Sequence, residues 1–175
     1  SSSLAILFCA SQLWIIALHK KRIDASFSRQ WIGLAMIFTF LGIDEATALH
    51  ENIGDLVELL ELFDASGILY FAWVVPYCLL LVIFALAYTK FVLSLPQPTM
   101  LKFIIAGLLF ISGAVGIEII SANEADLNGT ETVMYSVLYT LEELCEMLGI
   151  VLFSDTLLKY LEKDLGRITF KISNA

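Results

Sequence analysis

Five long apolar stretches, each about the length of one bilayer crossing, constrain the fold of this chain more than any other feature. A helix needs roughly 20 mostly apolar residues to cross a hydrocarbon core of about 30 Å. Turn-forming residues at 96–98 and 128–130 separate neighbouring stretches. The sequence therefore predicts an all-α polytopic membrane bundle, a single domain over residues 1–175. The predicted spans are residues 4–19, 31–50, 68–95, 100–121 and 132–159.

The composition supports a membrane protein and excludes several other classes. Of the 175 residues, 59% are hydrophobic and 16% are charged, whereas soluble domains average about 45–50% and about 25%. The net charge of −8 has the wrong sign for binding nucleic acid. Cys9, Cys78 and Cys145 each lie inside an apolar stretch, which fits neither a disulfide scaffold nor a zinc knuckle.

The basic residues predict the orientation of the bundle. In the five-span arrangement all ten Lys and Arg fall on one side, and the loops on the opposite side, 52–67 and 121–131, contain none. Because basic residues remain in the cytoplasm, the N-terminus is predicted to be outside and the C-terminus cytoplasmic. The ten are Lys20, Lys21, Arg22, Arg29, Lys90, Lys102, Lys159, Lys163, Arg167 and Lys171.

A segment on the predicted outer side has a helical pattern of its own. Residues 52–63 place Ile53, Leu56, Leu59 and Leu60 on one face, with acidic residues between them. This pattern predicts an amphipathic helix, either continuing the second span or lying on the outer membrane surface.

Acidic residues inside the spans are the strongest functional signal. Each charge at the bilayer centre costs about 2.5–3.5 kcal/mol, and the fifth span holds three. Salt bridges to Lys or Arg are excluded, since every basic residue is predicted at the other membrane face. The acids should therefore face the protein interior and be protonated or bound to metal. They are Asp44, Glu45, Glu118, Glu142, Glu143 and Glu146, followed at the outer end of the second span by His50 and Glu51.

Helical geometry turns most of these side chains toward common faces. At about 100° per residue, the three acids of the fifth span lie in one stripe. Asp44 and Glu51 share a stripe on the second span, whereas Glu45 and His50 point away from it. We predict that these eight residues contain the ligands of a divalent metal. Carboxylates suit iron, manganese or calcium, and an imidazole ligand makes iron, manganese or zinc more favourable.

Two other interpretations of the acids stay open. Burial disfavours the charged form of a carboxyl group, so the acids of the fourth and fifth spans also suit a hydrogen-bonded network that serves as a proton or cation pathway. Alternatively, they line a water-filled vestibule. A non-catalytic subunit of a larger membrane complex, or a homo-oligomer, is a further class, because a small bundle offers mostly apolar surface to partners besides lipid. No catalytic group is identified.

Three segments resemble a group of small multi-pass bacterial membrane proteins frequent in cyanobacteria. They are residues 40–45 with His50 and Glu51, residues 70–77, and residues 141–149. The resemblance implies a prokaryotic plasma or thylakoid membrane and no particular reaction. A looser similarity is to di-metal carboxylate four-helix proteins, which use Glu-x-x-His pairs. This chain has no such pair and takes its acids from three helices, which argues against a redox di-iron centre.

Overall fold

The computed structural model describes residues 2–49 and 74–165, and every regular element within them is helical. The fourth helix contains a π-helical turn, Ser112–Ile117, between the α-helical segments Gln97–Ile111 and Glu118–Asn128. The helices are α1 (Ser2–Arg22), α2 (Ser28–Thr47), α3 (Val74–Ser94), α4 (Gln97–Asn128) and α5 (Val133–Leu165).

The all-α class predicted from the sequence is confirmed. Among the helices that the structure describes, three are long and apolar enough to cross a membrane, namely α1, α3 and α4. The predicted loop at 121–131 is mostly helix, because α4 continues to Asn128. The predicted amphipathic segment 52–63 lies outside the described residues.

Helix α1 lies between α2 and α5, and α4 packs along another side of α5. An apolar stripe on α1 with spacings of three and four residues produces this position, since such residues share one helical face. Helix α3 is mostly exposed over its apolar length. The buried stripe of α1 consists of Ile6, Cys9, Leu13, Ile16 and Ala17.

Four helices meet around Trp31 at one end of the bundle. Trp31 of α2 is 2% exposed, and its ring lies 5.0 Å from that of Phe91 on α3 and 5.0 Å from that of Tyr160 on α5. Phe103 of α4 lies 6.2 Å from the same indole. Beside this cluster, Lys20 Nζ of α1 lies 2.6 Å from Asp164 Oδ1. The basic helix ends described by the structure are thereby gathered at one end.

Glycines allow α4 and α5 to approach closely. A Cβ atom on Gly149 would lie 2.8 Å from the Ala106 carbonyl oxygen and 2.8 Å from the Phe110 nitrogen. These are backbone atoms that cannot move aside without separating the helices. Further along the interface, a Cβ on Gly113 would lie 2.7 Å from the carbonyl oxygen of Glu142. The second contact is next to the acidic residues of α5.

We expect Gly149→Ala to lower the free energy of unfolding by about 1–3 kcal/mol, the usual cost of overpacking. Gly107→Ala is the matched control, because Gly107 is also helical and a Cβ atom there would have no described atom within 4 Å. The control should be neutral or stabilising by up to about 1 kcal/mol, since alanine favours helix over glycine. Thermal unfolding in detergent measures both, and equal effects would contradict the close approach.

Candidate carboxylate site

Glu118 of α4 and Glu142 of α5 share a hydrogen bond across the helix interface. A carboxylate only accepts hydrogen bonds, so a bond between two carboxyl groups requires a proton on one of them. The second oxygen of Glu142, Oε2, is buried and has no hydrogen-bond partner among the described residues. The two carboxyl groups therefore lie side by side at the α4–α5 interface, and Glu142 Oε2 is a further acceptor oxygen beside them.

Three more acids, Glu45, Glu143 and Glu146, belong to the same region as this pair. The charges of Glu45 on α2, Glu118 and Glu143 all act on Glu146. Gly113 brings α5 this close to α4, because a side chain there would collide with Glu146 Cγ at 3.0 Å and Cys145 Cβ at 3.1 Å. Acids from three helices thus share one region.

Hydroxyl groups are hydrogen-bonded to the remaining acids. Tyr77 of α3 donates to Asp44 Oδ2 at 3.0 Å, and Asp44 is buried. Tyr139 donates to Glu143 Oε1 at 3.1 Å, one helical turn away on α5. The Ser2 hydroxyl of α1 donates to Glu45. Each of these carboxyl groups accepts a hydrogen bond from a neutral hydroxyl donor.

The acids of this region differ in exposure. Glu45 and Glu143 are exposed, whereas Glu118, Glu142 and Glu146 are partly buried. We use the name acidic cleft for these five residues.

Charge separation isolates the acidic cleft from basic side chains. The ion pairs that the described residues form join Asp164 to His19 and Lys20, and Asp155 to Lys102 and Lys159. All lie toward the opposite end, where Trp31 gathers the helix ends. The basic side chains of these ion pairs therefore lie away from the acidic cleft.

The structure brings together only some of the predicted site residues. From α2, Glu45 acts on the α5 acids, and Asp44 accepts the hydrogen bond from Tyr77 on α3. His50 and Glu51 lie outside the described residues. Within 2–49 and 74–165, no group of three or more His, Cys, Asp or Glu residues is arranged to hold a metal ion.

Two residues that donate hydrogen bonds to these acids, Tyr77 and Ser2, are not predicted from the sequence. Helix α3 contains no acid, so no acidic stripe indicates that one of its tyrosines reaches Asp44. Ser2 lies in the first turn of α1 and looks like an ordinary polar residue at a helix end. Only the packing of the helices identifies them.

A family model described as a domain of unknown function, DUF8692, matches residues 1–160. The match includes the helices that form the bundle and every acid of the acidic cleft. The chain therefore belongs to this family. No curated protein and no solved structure matches the chain.

We expect Tyr77→Phe to destabilise the protein by about 1–2 kcal/mol, because it removes a hydrogen bond to a buried carboxyl group. Tyr139→Phe removes the same kind of bond, but Tyr139 and Glu143 are exposed. Its cost should stay below about 0.5 kcal/mol, as for other exposed substitutions. Chemical unfolding in detergent compares the two, and a larger loss for Tyr139→Phe would contradict this difference in exposure.

Proposed function

We propose that this chain is an integral membrane protein with five spanning helices, an outer N-terminus and a cytoplasmic C-terminus. The apolar length of α1, α3 and α4 and the gathering of basic helix ends around Trp31 support it. Helix α5 has 33 residues, about 50 Å at 1.5 Å per residue, which is more than one crossing requires. The sequence resemblance described above favours a prokaryotic plasma or thylakoid membrane.

Cysteine labelling of intact cells tests this orientation. Leu127→Cys lies at the acidic end of α4 and is 69% exposed, so a membrane-impermeant maleimide should label it from outside. Lys21→Cys, exposed at the basic end of α1, should react only after permeabilisation. The reverse pattern would show that the orientation is inverted, and labelling of both in intact cells would contradict the topology.

The function we propose for the acidic cleft is binding of a divalent cation. The observation that supports it best is the placement of Glu118, Glu142 and Glu146 on facing helices, away from the basic side chains that the structure describes. Several carboxyl groups gathered in one region repel one another when ionised. A divalent cation removes this repulsion and uses the oxygens as ligands.

Cation binding would displace the proton shared by Glu118 and Glu142, because a ligating carboxyl group must be deprotonated. Glu142 Oε2 is the acceptor oxygen already available. The described acids alone do not form a three-ligand group, so the proposal needs further donors. His50 and Glu51, which follow Leu49 directly in the sequence, are the donors we propose. Iron, manganese and zinc suit a mixed imidazole and carboxylate set, and calcium suits the carboxylates alone.

A proton or cation pathway is the second candidate, and one observation favours it. A proton held between two carboxyl groups is the arrangement that a relay uses. On the way to the basic end, α5 offers Ser154, whose hydroxyl lies 3.1 Å from Gln12 Nε2 of α1, and then Asp155. Eight residues, about 12 Å of helix, separate Ser154 from Glu146, so this pathway needs water along α5. A third candidate, an accessory role in a larger complex, is consistent with the exposed apolar surface of α3.

Glu146→Gln distinguishes cation binding from a neutral hydrogen-bonded network. In the wild type, Mn²⁺, Fe²⁺, Zn²⁺ or Ca²⁺ should raise Tm, because a ligand that binds only the folded state stabilises it, by about 2.7 kcal/mol at one hundred times Kd. The substitution removes an anionic ligand and should abolish this shift. Glu162→Gln, exposed near the other end of α5, is the matched control and should keep it.

Two observations together would show that the acidic cleft does not bind a cation. If none of the four cations changes the wild-type Tm and Glu146→Gln is neutral, Gln is replacing a protonated carboxyl group. The acidic cleft would then be a proton-bearing network, and cation binding would be wrong.

A further inference from the structure

The π-helical turn of α4 lies directly before Glu118. Short π-helical turns arise from one extra residue in an α-helix and are frequent at functional sites. Up to the start of the turn, the residues that face α5 follow ordinary α-helical spacing. Phe103, Ala106 and Phe110 precede the turn, and Gly113 is its second residue.

Downstream of the turn, the inward-facing residues do not continue that stripe. At about 100° per residue, Ala122 would lie about 180° from Gly113 in a regular helix, facing away from the bundle. In the structure Ala122 is 0% exposed, and Ile120 is 56% exposed. Counting one residue fewer between Gly113 and Ala122 reduces the angle to about 80°. The buried pattern therefore contains one surplus residue, and the π-helical turn accommodates it.

Glu118 is the acid whose direction depends on this surplus. In a regular helix Ile117 would lie about 40° from Gly113, and Glu118 about 140° from it. Glu118 instead forms its hydrogen bond with Glu142 across the interface. Without the turn, an isoleucine would face α5 and the carboxyl group would face away from it, where an acid within a bilayer is costly.

The local sequence disfavours a regular α-helix at the position of the turn. Residues 112–116 read Ser-Gly-Ala-Val-Gly, and glycine, serine and valine stabilise an α-helix less than alanine does. Gly113 must stay small because α5 is in contact with it, whereas a Cβ atom on Gly116 would have no described atom within 4 Å. Gly116 is therefore the residue that can be removed without disturbing a contact.

We propose that the π-helical turn is the positioning element of the acidic cleft, and that its single surplus residue turns Glu118 toward Glu142. The direction of the Glu118 side chain does not depend on whether a cation binds. The further role of Glu118 as a cation ligand rests on the proposed function.

Deletion and insertion at Gly116 test this proposal. In a regular helix both changes rotate the downstream part by about 100° and both break its packing. Here the deletion restores a continuous α-helix with both flanks on their present faces, whereas insertion of an alanine after Gly116 adds a second surplus residue. Only the insertion should turn Glu118 away.

The readout is cross-linking of Glu118→Cys to Glu142→Cys by a short bifunctional thiol reagent, with the three native cysteines replaced by alanine. We expect the deletion variant to cross-link within about twofold of its parent and the insertion variant at least about tenfold less, given the 100° rotation. The deletion variant with both glutamates restored should also keep any cation-dependent rise in Tm. A turn that has no influence on the direction of Glu118 would give equal cross-linking in the deletion and insertion variants.

Several outcomes overturn the proposal. These are a parent that does not cross-link, a deletion variant that loses cross-linking or fails to fold, and an insertion variant that keeps it. If the insertion variant does not fold, the deletion variant alone decides. Because cross-linking needs no cation, normal cross-linking in a protein that binds none would leave the positioning intact and refute only the cation-binding function.

Discussion

The segregation of charge along the bundle is the constraint from which the other features follow. Basic side chains lie at the end where Trp31 joins four helices, and Lys20 is paired there with Asp164. The five residues of the acidic cleft lie away from that end, and the ion pairs that the structure describes join other acids, Asp155 and Asp164. Carboxyl groups in this situation must share protons, accept bonds from neutral donors or bind an external cation.

The contacts of the acidic cleft are of the kind that this separation of charge requires. Glu118 and Glu142 lie side by side across the interface, and hydroxyl groups donate to Asp44, Glu45 and Glu143. Such contacts require close helices, which glycines on both α4 and α5 permit. The π-helical turn supplies the rotation that brings Glu118 to the interface. The close glycine contacts and the acid contacts thus lie in the same part of the α4–α5 interface.

Much of the fold is predictable from the sequence because hydropathy and turn residues act locally. The apolar stretches predict where helices occur: α1 and α2 begin and end within a few residues of the predicted limits, and α5 begins close to its own. The extension of α4 to Asn128 is missed, since polar residues near a membrane surface look like a loop. Helix ends at an interface are set by packing against neighbours, such as the contact of Thr132 with Glu124.

The site is harder to predict, since helical periodicity assumes a regular helix. That assumption turns Glu118 away from Gly113, and only the π-helical turn restores it. On α2 the assumption of a regular helix predicts that Asp44, rather than Glu45, faces the other acids. In the structure, Glu45 is the residue whose charge acts on Glu146. The bond from Tyr77 to Asp44 depends on how α3 lies against α2, which no local pattern encodes.

Metal analysis of the wild-type protein, purified without chelator and then dialysed against each candidate cation, is the direct test of cation binding by the acidic cleft. We predict about one tightly bound divalent cation per chain, because clustered carboxylates and an imidazole satisfy the ligand needs of a single ion. The same preparation of a Glu142→Gln variant should hold much less metal. Protein that folds normally and retains no divalent cation after dialysis would contradict cation binding, and the acidic cleft would then be a network of shared protons.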